Sequence, residues 1–166
     1  LMRICTEQAA HLALMSGISK DFDTALKEAK ETIIKGSALK KLEDLLKLQS
    51  SVTDINDIEL PETQKLFDFK ATENGYLKFT DCRQLGLAAL MAGASRLTIS
   101  DEIDYGAGIL LNKREGDQLK EGEIICEVFS TKKDLEKVIY DHLSASMRIV
   151  SEKPEPRDLI KKVRTA

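Results

Sequence analysis

The chain has 166 residues, of which 42% are hydrophobic and 32% are charged, and its formal net charge is −3 at pH 7. This composition excludes a disordered or fibrous protein, and the interspersed charges give no footprint for nucleic acid. No apolar run approaches the length of a membrane span. The start, Leu1–Cys5, has neither a signal-peptide layout nor an initiator Met, which indicates a trimmed chain or a piece of a longer protein.

Cysteine and histidine usage predicts a cytoplasmic protein without a metal site. Cys5, Cys82 and Cys126 are far apart and form no C-x-x-C pair, so we expect each to be a small buried apolar residue in a reducing compartment. His11 and His142 lack partners at metal-ligand spacing. We expect both to be structural, hydrogen-bonded residues on helices rather than catalytic bases.

Three helices are predicted for the amino-terminal part of the chain. Apolar residues at helical spacing predict helices over residues 1–17 and 22–35, and a glycine ends or follows each of them. Ser37 is placed to cap a third helix, which carries five leucines. We expect these leucines to face a core rather than a partner: Leu39, Leu42, Leu45, Leu46 and Leu48.

Residues 51–66 are polar and lack a periodic pattern, so we predict a linker. The composition then shifts towards strands and turns, because seven of the nine glycines follow this linker. Asp81 with Gln84, and Thr131 with Asp134, each resemble a capping box that opens a helix. The predicted strands are Phe67–Ala71, Tyr76–Phe79, Gly108–Leu111 and Ile124–Phe129, and the tail after Ser151 is predicted to be extended.

Glycine spacing in the second part of the chain points to a β scaffold. Gly106–Gly108 lacks the third glycine of a dinucleotide loop and precedes a strand, so we do not expect it to bind phosphate. The segment Gly116–Glu123 resembles the turn region of biotinyl and lipoyl carrier domains, where glycines allow tight turns. Lys70–Leu77 resembles the opening strand and turn of the same fold. These two resemblances imply a barrel-sandwich hybrid, or hammerhead, fold.

Lys132 lies where the modified lysine of a biotinyl domain would sit, counted from Gly116. A carrier lysine belongs on an exposed hairpin tip, typically between two methionines, whereas the capping signal at Thr131 predicts that Lys132 lies in the first turn of a helix. We therefore expect a solvated surface lysine, and a carrier module remains the alternative.

Asp101, Glu102 and Asp104, followed by Tyr105, form an acidic group. Paired carboxylates can perform acid–base chemistry when their surroundings separate their pKa values. No His, Cys or metal-ligand partner lies nearby in sequence, so a solvated approach to the next strand is the expected role.

The order of these segments resembles the C-terminal region of the pyrimidine nucleoside phosphorylase and thymidine phosphorylase family. The resemblance covers nearly the whole chain, with departures at Gln49–Ser51, where the family usually has Gln-Gly-Gly, and after Lys161. The segments that carry it are Ile4–Cys5, Ala25–Ala29, Gly36–Leu42, Glu73–Leu77, Leu85–Arg96 and, most specifically, Ile103–Asp117.

The resemblance implies an enzyme that cleaves a pyrimidine nucleoside with inorganic phosphate, giving the base and a pentose 1-phosphate. Family members bind phosphate with a Lys-His-Ser-Thr-Gly-Gly loop and a Ser-Gly-Arg-Gly segment, and the base with an Arg, a Ser and a Lys; a monovalent-cation site also lies upstream. None of these motifs occurs in this sequence. We therefore assign no catalytic, cofactor-binding or metal-binding residue, and expect the fragment alone to be inactive.

The sequence thus predicts an α+β chain in which a helical segment precedes a barrel-sandwich-like β domain with flanking helices. The predicted divisions are residues 1–50 as the helical segment of the parent's α/β lobe, 51–66 as a linker and 67–166 as the phosphorylase C-terminal domain. Expected partners are the rest of the parent polypeptide and, in the whole enzyme, a homodimer, the nucleoside and phosphate. A non-catalytic interaction module is the second alternative.

Overall fold

A computed structural model describes residues 1–49, 54–96 and 98–162. Contacts divide the chain into two compact units: a helical unit, which spans Leu1–Glu59 and takes in Asp158 and the described residues after it, and a β unit, Leu60–Arg157. The helices are α1 (Met2–Met15), α2 (Phe22–Ile34), α3 (Ser37–Gln49), α4 (Cys82–Ala89) and α5 (Glu136–Ser146). The strands are β1 (Lys65–Lys70), β2 (Gly75–Phe79), β3 (Gly108–Leu111), β4 (Gln118–Leu119), β5 (Ile124–Phe129) and β6 (Met147–Val150).

The predicted α+β class is confirmed by the five helices and two antiparallel sheets of the described residues. The finer barrel-sandwich arrangement stays a prediction, as does the division at residues 50 and 67. Among the described helices, none combines the length and apolarity that crossing a membrane would require.

In the helical unit, helix ends follow the local sequence signals. The Asp21 carboxylate caps α2 by accepting a hydrogen bond from the backbone N–H of Thr24 at 2.9 Å. Gly17 and Gly36 follow the first two helices with φ of 74° and 73°, a conformation in which glycine pays no Cβ penalty. The helices α1 and α2 pack together, with His11 and Phe22 in ring contact.

The expectation that the five leucines of α3 form core is wrong. No described residue of α3 is buried: Leu39, Leu42, Leu45 and Leu48 are 48%, 44%, 47% and 86% exposed, and Leu46 is half-buried. The apolar residues that the helical unit buries among its described residues are Ala10 and Ala25. Two alanines supply little apolar area, so the short helices do not enclose the leucines. We call Leu39, Leu42 and Leu45 the leucine face.

The β unit contains two three-stranded antiparallel sheets, ordered β1-β5-β3 and β4-β2-β6. In the first sheet, Phe69 lies opposite Cys126 in register, so both side chains are on one face of the sheet. In the second, Leu77 lies opposite Ile149. The pairs β1–β5 and β2–β6 therefore join segments that are distant in sequence.

Helices α4 and α5 pack against each other, and their buried residues share one core with both sheets. Leu77 of β2 and Ile139 and Leu143 of α5 are completely buried in it. Burial of such side chains contributes about 1.5–3 kcal/mol each. The other buried members are Phe69, Ala71, Ala88, Ala92, Leu119, Ile125, Cys126, Val128 and Met147.

Strand prediction succeeded where turn residues bracket an apolar run. The predicted bounds of β3 and β5 are confirmed, and those of β1 and β2 differ by at most two residues. Two strands were missed. β4 has only two residues between two glycine turns, and β6 starts directly after α5, with Met147 already extended at φ −148° and ψ 161°. No glycine or proline marks that change.

Of the two predicted capping boxes, one forms in part and the other does not form. Asp81 caps α4 by accepting from Arg83 N–H at 2.8 Å, but the Gln84 side chain binds His142 instead of reaching back to the cap. The prediction at Thr131 is wrong, since a 3₁₀ turn, Lys133–Leu135, precedes α5 and no side chain caps either. The helix that follows Asp81 ends in a π-turn at Leu90–Ala94, where Gly93 has φ 110°.

Candidate functional site

The side chain of Asp104 joins segments that are far apart in the sequence. Its Oδ2 accepts a hydrogen bond from Thr63 Oγ1 at 3.1 Å, and its Oδ1 accepts one from the Gly106 N–H at 3.0 Å. The Asp104 backbone N–H donates to the carbonyl oxygen of Gly93 at 3.0 Å. We call this cluster of Thr63, Gly93, Asp104 and Gly106 the Asp104 clasp.

Glycine is required at the clasp because backbones approach each other there. A Cβ added to Gly106 would lie 2.7 Å from both the carbonyl carbon of Glu62 and the backbone nitrogen of Thr63. Gly93 is buried, and its φ of 110° is a conformation that other residues rarely adopt. The most specific block of the sequence, Ile103–Asp117, therefore begins with a structural junction.

Ser130 connects β5 to the end of the π-turn. It is buried, and its hydroxyl donates to the Ala92 carbonyl oxygen at 2.7 Å while accepting from the Lys132 N–H at 3.0 Å. This contact fixes the backbone that leads into Lys132, which directly precedes the 3₁₀ turn instead of lying in the first turn of a helix as predicted. Lys132 is half-buried, and its Cε lies 3.7 Å from the place where a Cβ of Gly93 would be. The lysine is therefore not a fully solvated surface residue, and it is not on a β-hairpin.

The glycine turns that resemble a carrier domain are tied to the strands by backbone hydrogen bonds. Gly116, at φ 86°, donates to the carbonyl oxygen of Leu77 at 2.8 Å. Gly122, at φ 80°, donates to the carbonyl oxygen of Ala71 at 2.8 Å. A Cβ at Gly75 would lie 2.7 Å from the Val150 oxygen. These glycines permit turns and strand contacts, so the motif here specifies a scaffold.

An ion pair lies beside the second of these turns. Lys113 Nζ contacts Glu123 Oε1 at 2.5 Å, and the other carboxylate oxygen accepts from the Lys120 N–H at 2.9 Å. The hydrogen bond from Lys113, followed by the one from Lys120, lowers the pKa of Glu123 below its ordinary value. These groups stabilise the turn, and each already has a partner within the protein.

The structure gives the predicted acidic residues different partners. Asp101 accepts from Thr98, at 3.0 Å from its backbone N–H and 2.8 Å from its hydroxyl, within a local turn. Glu102 and Tyr105 are exposed, whereas Asp104 belongs to the clasp. A solvated approach to the strand describes Glu102 and Tyr105, but that expectation is wrong for Asp104.

The two histidines lie in separate units. His11 is in ring contact with Phe22, with centroids 4.7 Å apart, and this contact replaces the hydrogen bond expected for it. His142 Nδ1 lies 2.7 Å from Gln84 Oε1, which joins α5 to α4. Both histidines contact a residue of their own unit. Among the described residues, no group of three His, Cys, Asp or Glu side chains could hold a metal ion.

Burial of the cysteines was predicted correctly only for Cys126. Cys5 and Cys82 are exposed, so the expectation is wrong for them: one is on the outer side of α1 and the other is the first residue of α4. All three are free thiols. Burial of Cys126 raises its pKa to about 12, which leaves it protonated and unreactive at neutral pH.

A cavity of about 140 Å³ lies between the two sheets beside α5. Its lining includes Phe69, Leu77 and Met147 together with Lys70 and Arg148. Ligand pockets usually enclose about 300–1,000 Å³, so this cavity is small for a nucleoside.

Sequence reasoning missed Thr63 and Ser130. Thr63 falls in the predicted linker, 41 residues before its partner Asp104, and nothing local marks it. Ser130 was not singled out from the sequence, although a polar residue directly after a buried strand must find hydrogen-bond partners.

The fold and these contacts define a small α+β domain in which polar side chains hold together glycine-rich turns. Residues 76–150 match the family model described as the pyrimidine nucleoside phosphorylase C-terminal domain. The chain is similar to the pyrimidine-nucleoside phosphorylase of Staphylococcus aureus strain USA300, at 35% identity over 137 residues, which is 81% of this chain and 31% of that protein. It is 36% identical over 111 residues, 66% of this chain and 26% of the relative, to the protein of the same description from strain MSSA476.

The chain belongs to the pyrimidine nucleoside phosphorylase family and carries its C-terminal domain. It spans about a third of the length of the curated relatives that it matches, 31% for the USA300 protein. The matched region runs from β2 to the end of β6 and includes three members of the clasp: Gly93, Asp104 and Gly106.

Proposed function

We propose that this chain is the C-terminal lobe of a pyrimidine nucleoside phosphorylase and that its role is structural. In the whole enzyme, a phosphate oxygen attacks C1′ of the pentose, the bond from C1′ to the base nitrogen breaks, and the base leaves with the electron pair and gains a proton. The observation that carries the proposal is the family match over residues 76–150, which coincides with the β unit from β2 to β6.

The residues that bind phosphate and the base lie, in this proposal, in polypeptide beyond the 166 residues. Support comes from the contacts of the polar groups present. Asp104 holds Thr63 and Gly106, Glu123 holds Lys113, and His142 holds Gln84. Groups already committed to such contacts serve the fold, because using them for chemistry would leave their partners without hydrogen bonds.

In this proposal the lobe forms one side of the active-site cleft and moves as a rigid body when the cleft closes. Closure of such a lobe over substrate excludes water and brings the two reactants together. The clasp suits this role, because Asp104 fixes three backbone segments by hydrogen bonds and Gly106 allows them to touch. The proposal includes a homodimeric parent and a cytoplasmic location, which three free thiols fit.

An assay of the purified chain tests the proposed inactivity. The 166-residue protein is incubated with uridine or thymidine and inorganic phosphate, and released base is measured by chromatography. The S. aureus enzyme serves as the positive control. We expect no release above a protein-free blank; phosphate-dependent release by the chain itself would overturn the proposal.

The carrier alternative is tested by intact mass after expression with a biotin or lipoate ligase. We expect an unchanged mass, because Lys132 is half-buried beside Gly93 and lies outside any β-hairpin. A Lys132→Arg variant is the control. An adduct on the native chain that this variant lacks would establish a carrier module instead.

A further inference from the structure

Two positive side chains lie directly opposite each other on the second sheet. Lys78 of β2 pairs in register with Arg148 of β6. Their neighbours along the two strands, Leu77 and Met147, are buried in the core, and side chains alternate between the faces of a strand. Lys78 and Arg148 therefore share the outer face of the sheet. Like charges placed directly opposite in a sheet are destabilising, so the fold alone gives no reason for this pair.

No carboxylate neutralises the pair among the residues that the structure describes. Neither Lys78 nor Arg148 takes part in an ion pair there. The turn beside β2 contains two acidic residues, but both have partners. Glu115 holds an arginine side chain at 3.0 Å, and Asp117 accepts a backbone N–H at 2.7 Å. The charge of Lys78 and Arg148 is thus left for an external anion.

Lys78 also lines a surface groove of about 290 Å³, together with the segment that follows β6. A second lysine of this groove, Lys153, has its Cε 3.7 Å from the place where a Cβ of Gly116 would be. The Gly116 N–H binds the carbonyl oxygen of Leu77, so Lys153 lies beside the strand that carries Lys78. The other lining residues are Val150, Ser151, Glu152 and Pro154. The carboxylate of Glu152 is exposed, and it faces two lysines of the lining.

A phosphate group fits the chemistry of this groove. It carries a charge of about −1.5 to −2 at pH 7 and three strong acceptor oxygens, so it can compensate more than one cation. Arginine binds phosphate through two parallel N–H groups, and lysine binds it as a point charge. The hydroxyl of Ser151 adds a further donor. A volume of about 290 Å³ is at the lower end for ligand pockets, which suits a small molecule.

We propose that the groove is a binding site for a small phosphate-bearing anion, held by Lys78 and Lys153 with Arg148 beside them. Inorganic phosphate and a sugar phosphate offer the same group, and the experiment distinguishes them. The inference goes beyond the proposed function, because it concerns binding by this chain alone and gives the anion no part in bond cleavage.

The experiment measures binding and stability with the 166-residue chain in a buffer of about 20 mM ionic strength, where charges are weakly screened. Inorganic phosphate and ribose 1-phosphate are titrated separately by calorimetry, and melting temperatures are recorded with phosphate or with chloride at equal ionic strength. The variants are Lys78→Met and Lys153→Met, which remove a charge but keep an apolar stem. Lys70→Met is the matched control, because Lys70 is an exposed strand lysine that lies opposite Ile124 and outside the groove.

We expect the native chain to bind phosphate with a Kd of about 1 mM or less, and each groove variant to bind about tenfold more weakly. At ten times the Kd, phosphate should raise the native melting temperature by about 4 °C or more, and chloride by less. Without phosphate, Lys78→Met should melt at the same temperature as the native chain or higher, because the opposed charges are gone. Tighter binding of ribose 1-phosphate than of phosphate supports a sugar phosphate as the ligand, and equal binding supports free phosphate.

Three results would overturn the inference: no saturable binding of either anion, equal weakening of binding by Lys70→Met, or equal stabilisation by chloride and phosphate, which would indicate general screening. If Lys78→Met fails to fold, Lys153→Met decides the outcome, because Lys153 lies outside the helices and strands. The assay follows binding rather than release of a base, so its failure leaves the proposed function untouched.

Discussion

Thr63 donates a hydrogen bond from its hydroxyl to Asp104 across 41 residues of sequence, and the same carboxylate accepts the backbone N–H of Gly106. These hydrogen bonds hold the segment before β1 against the turn before β3. Asp104 thus holds three backbone segments together through its hydrogen bonds.

Replacing Asp104 with Ala is expected to destabilise the β unit by about 1–3 kcal/mol, because Thr63 Oγ1 and Gly106 N–H lose their acceptor. All three tyrosines (Tyr76, Tyr105 and Tyr140) lie in the β unit, so urea unfolding followed by tyrosine fluorescence reports on it. Glu102→Ala, two residues away and exposed, is the control. Equal stability of the two variants would contradict the clasp.

Gly106→Ala is expected to cost about 1–3 kcal/mol or more, because its Cβ would lie 2.7 Å from the backbone of Glu62 and Thr63. Gly108→Ala provides a close comparison, since a Cβ there meets nothing within 4 Å. The same urea titration should place that variant within about 0.5 kcal/mol of the native chain. A tolerated alanine at 106 would show that the two backbones can separate freely.

Ser130→Ala is expected to reduce stability by about 1–2 kcal/mol, because the buried carbonyl of Ala92 and the N–H of Lys132 both lose a partner. Ser144→Ala is the matched control on an exposed helix position, where the hydroxyl bonds only to the preceding turn of α5. The stabilities of the two variants are compared by thermal unfolding followed by circular dichroism. A larger loss of stability for Ser144→Ala than for Ser130→Ala would contradict the prediction.

The three cysteines are expected to differ in reactivity. At pH 8, a thiol reagent should modify Cys5 and Cys82 rapidly and Cys126 only after unfolding, as counted by intact mass. The folded pKa of Cys126, about 12, exceeds the unfolded value of about 8.5, so the unfolded state loses its proton first. This contribution to stability is complete below pH 8.5 and declines as the pH rises towards 12, a trend that Cys126→Ala should lack.

Acid should weaken the turn at Glu123. Its pKa is lowered in the folded state, chiefly by the hydrogen bond from Lys113, so the pair stabilises the fold above the unfolded pKa of about 4.3. That stabilisation is lost as the pH falls below this value, through the folded pKa. As the pH is lowered from 7 to 3, the melting temperature should fall less for Lys113→Met than for the native chain. Lys120→Met is the control, because Lys120 lowers the pKa of Glu123 mainly through its backbone N–H. Parallel curves for all three would contradict the assignment.

Much of the fold could be predicted because local signals agree with it. The apolar runs of β3 and β5 are bounded by turn residues, and Asp21 and Asp81 act as N-caps as their positions indicate. The change from α5 to β6 could not be read in the same way, because Met147 turns extended through its pairing with Phe79 rather than through a local signal. Tertiary pairing overrode local preference there.

Neither the hydrogen-bond partners of Asp104 nor the exposure of the α3 leucines could be predicted from neighbouring residues, and the physical reason is the same. Asp104 depends on a threonine 41 residues earlier, and Leu42 is 44% exposed although its spacing predicted a core position. A periodic pattern shows which face of a helix is apolar but does not say which surface covers it.

The position of β6 has a consequence for synthesis on the ribosome. β2 lies between β4 and β6 in its sheet, and Leu77 pairs with Ile149, near the end of the β unit. The second sheet therefore cannot close until that last strand has left the exit tunnel. During this interval β2 lacks its β6 neighbour, and an unpaired strand edge of this kind favours aggregation.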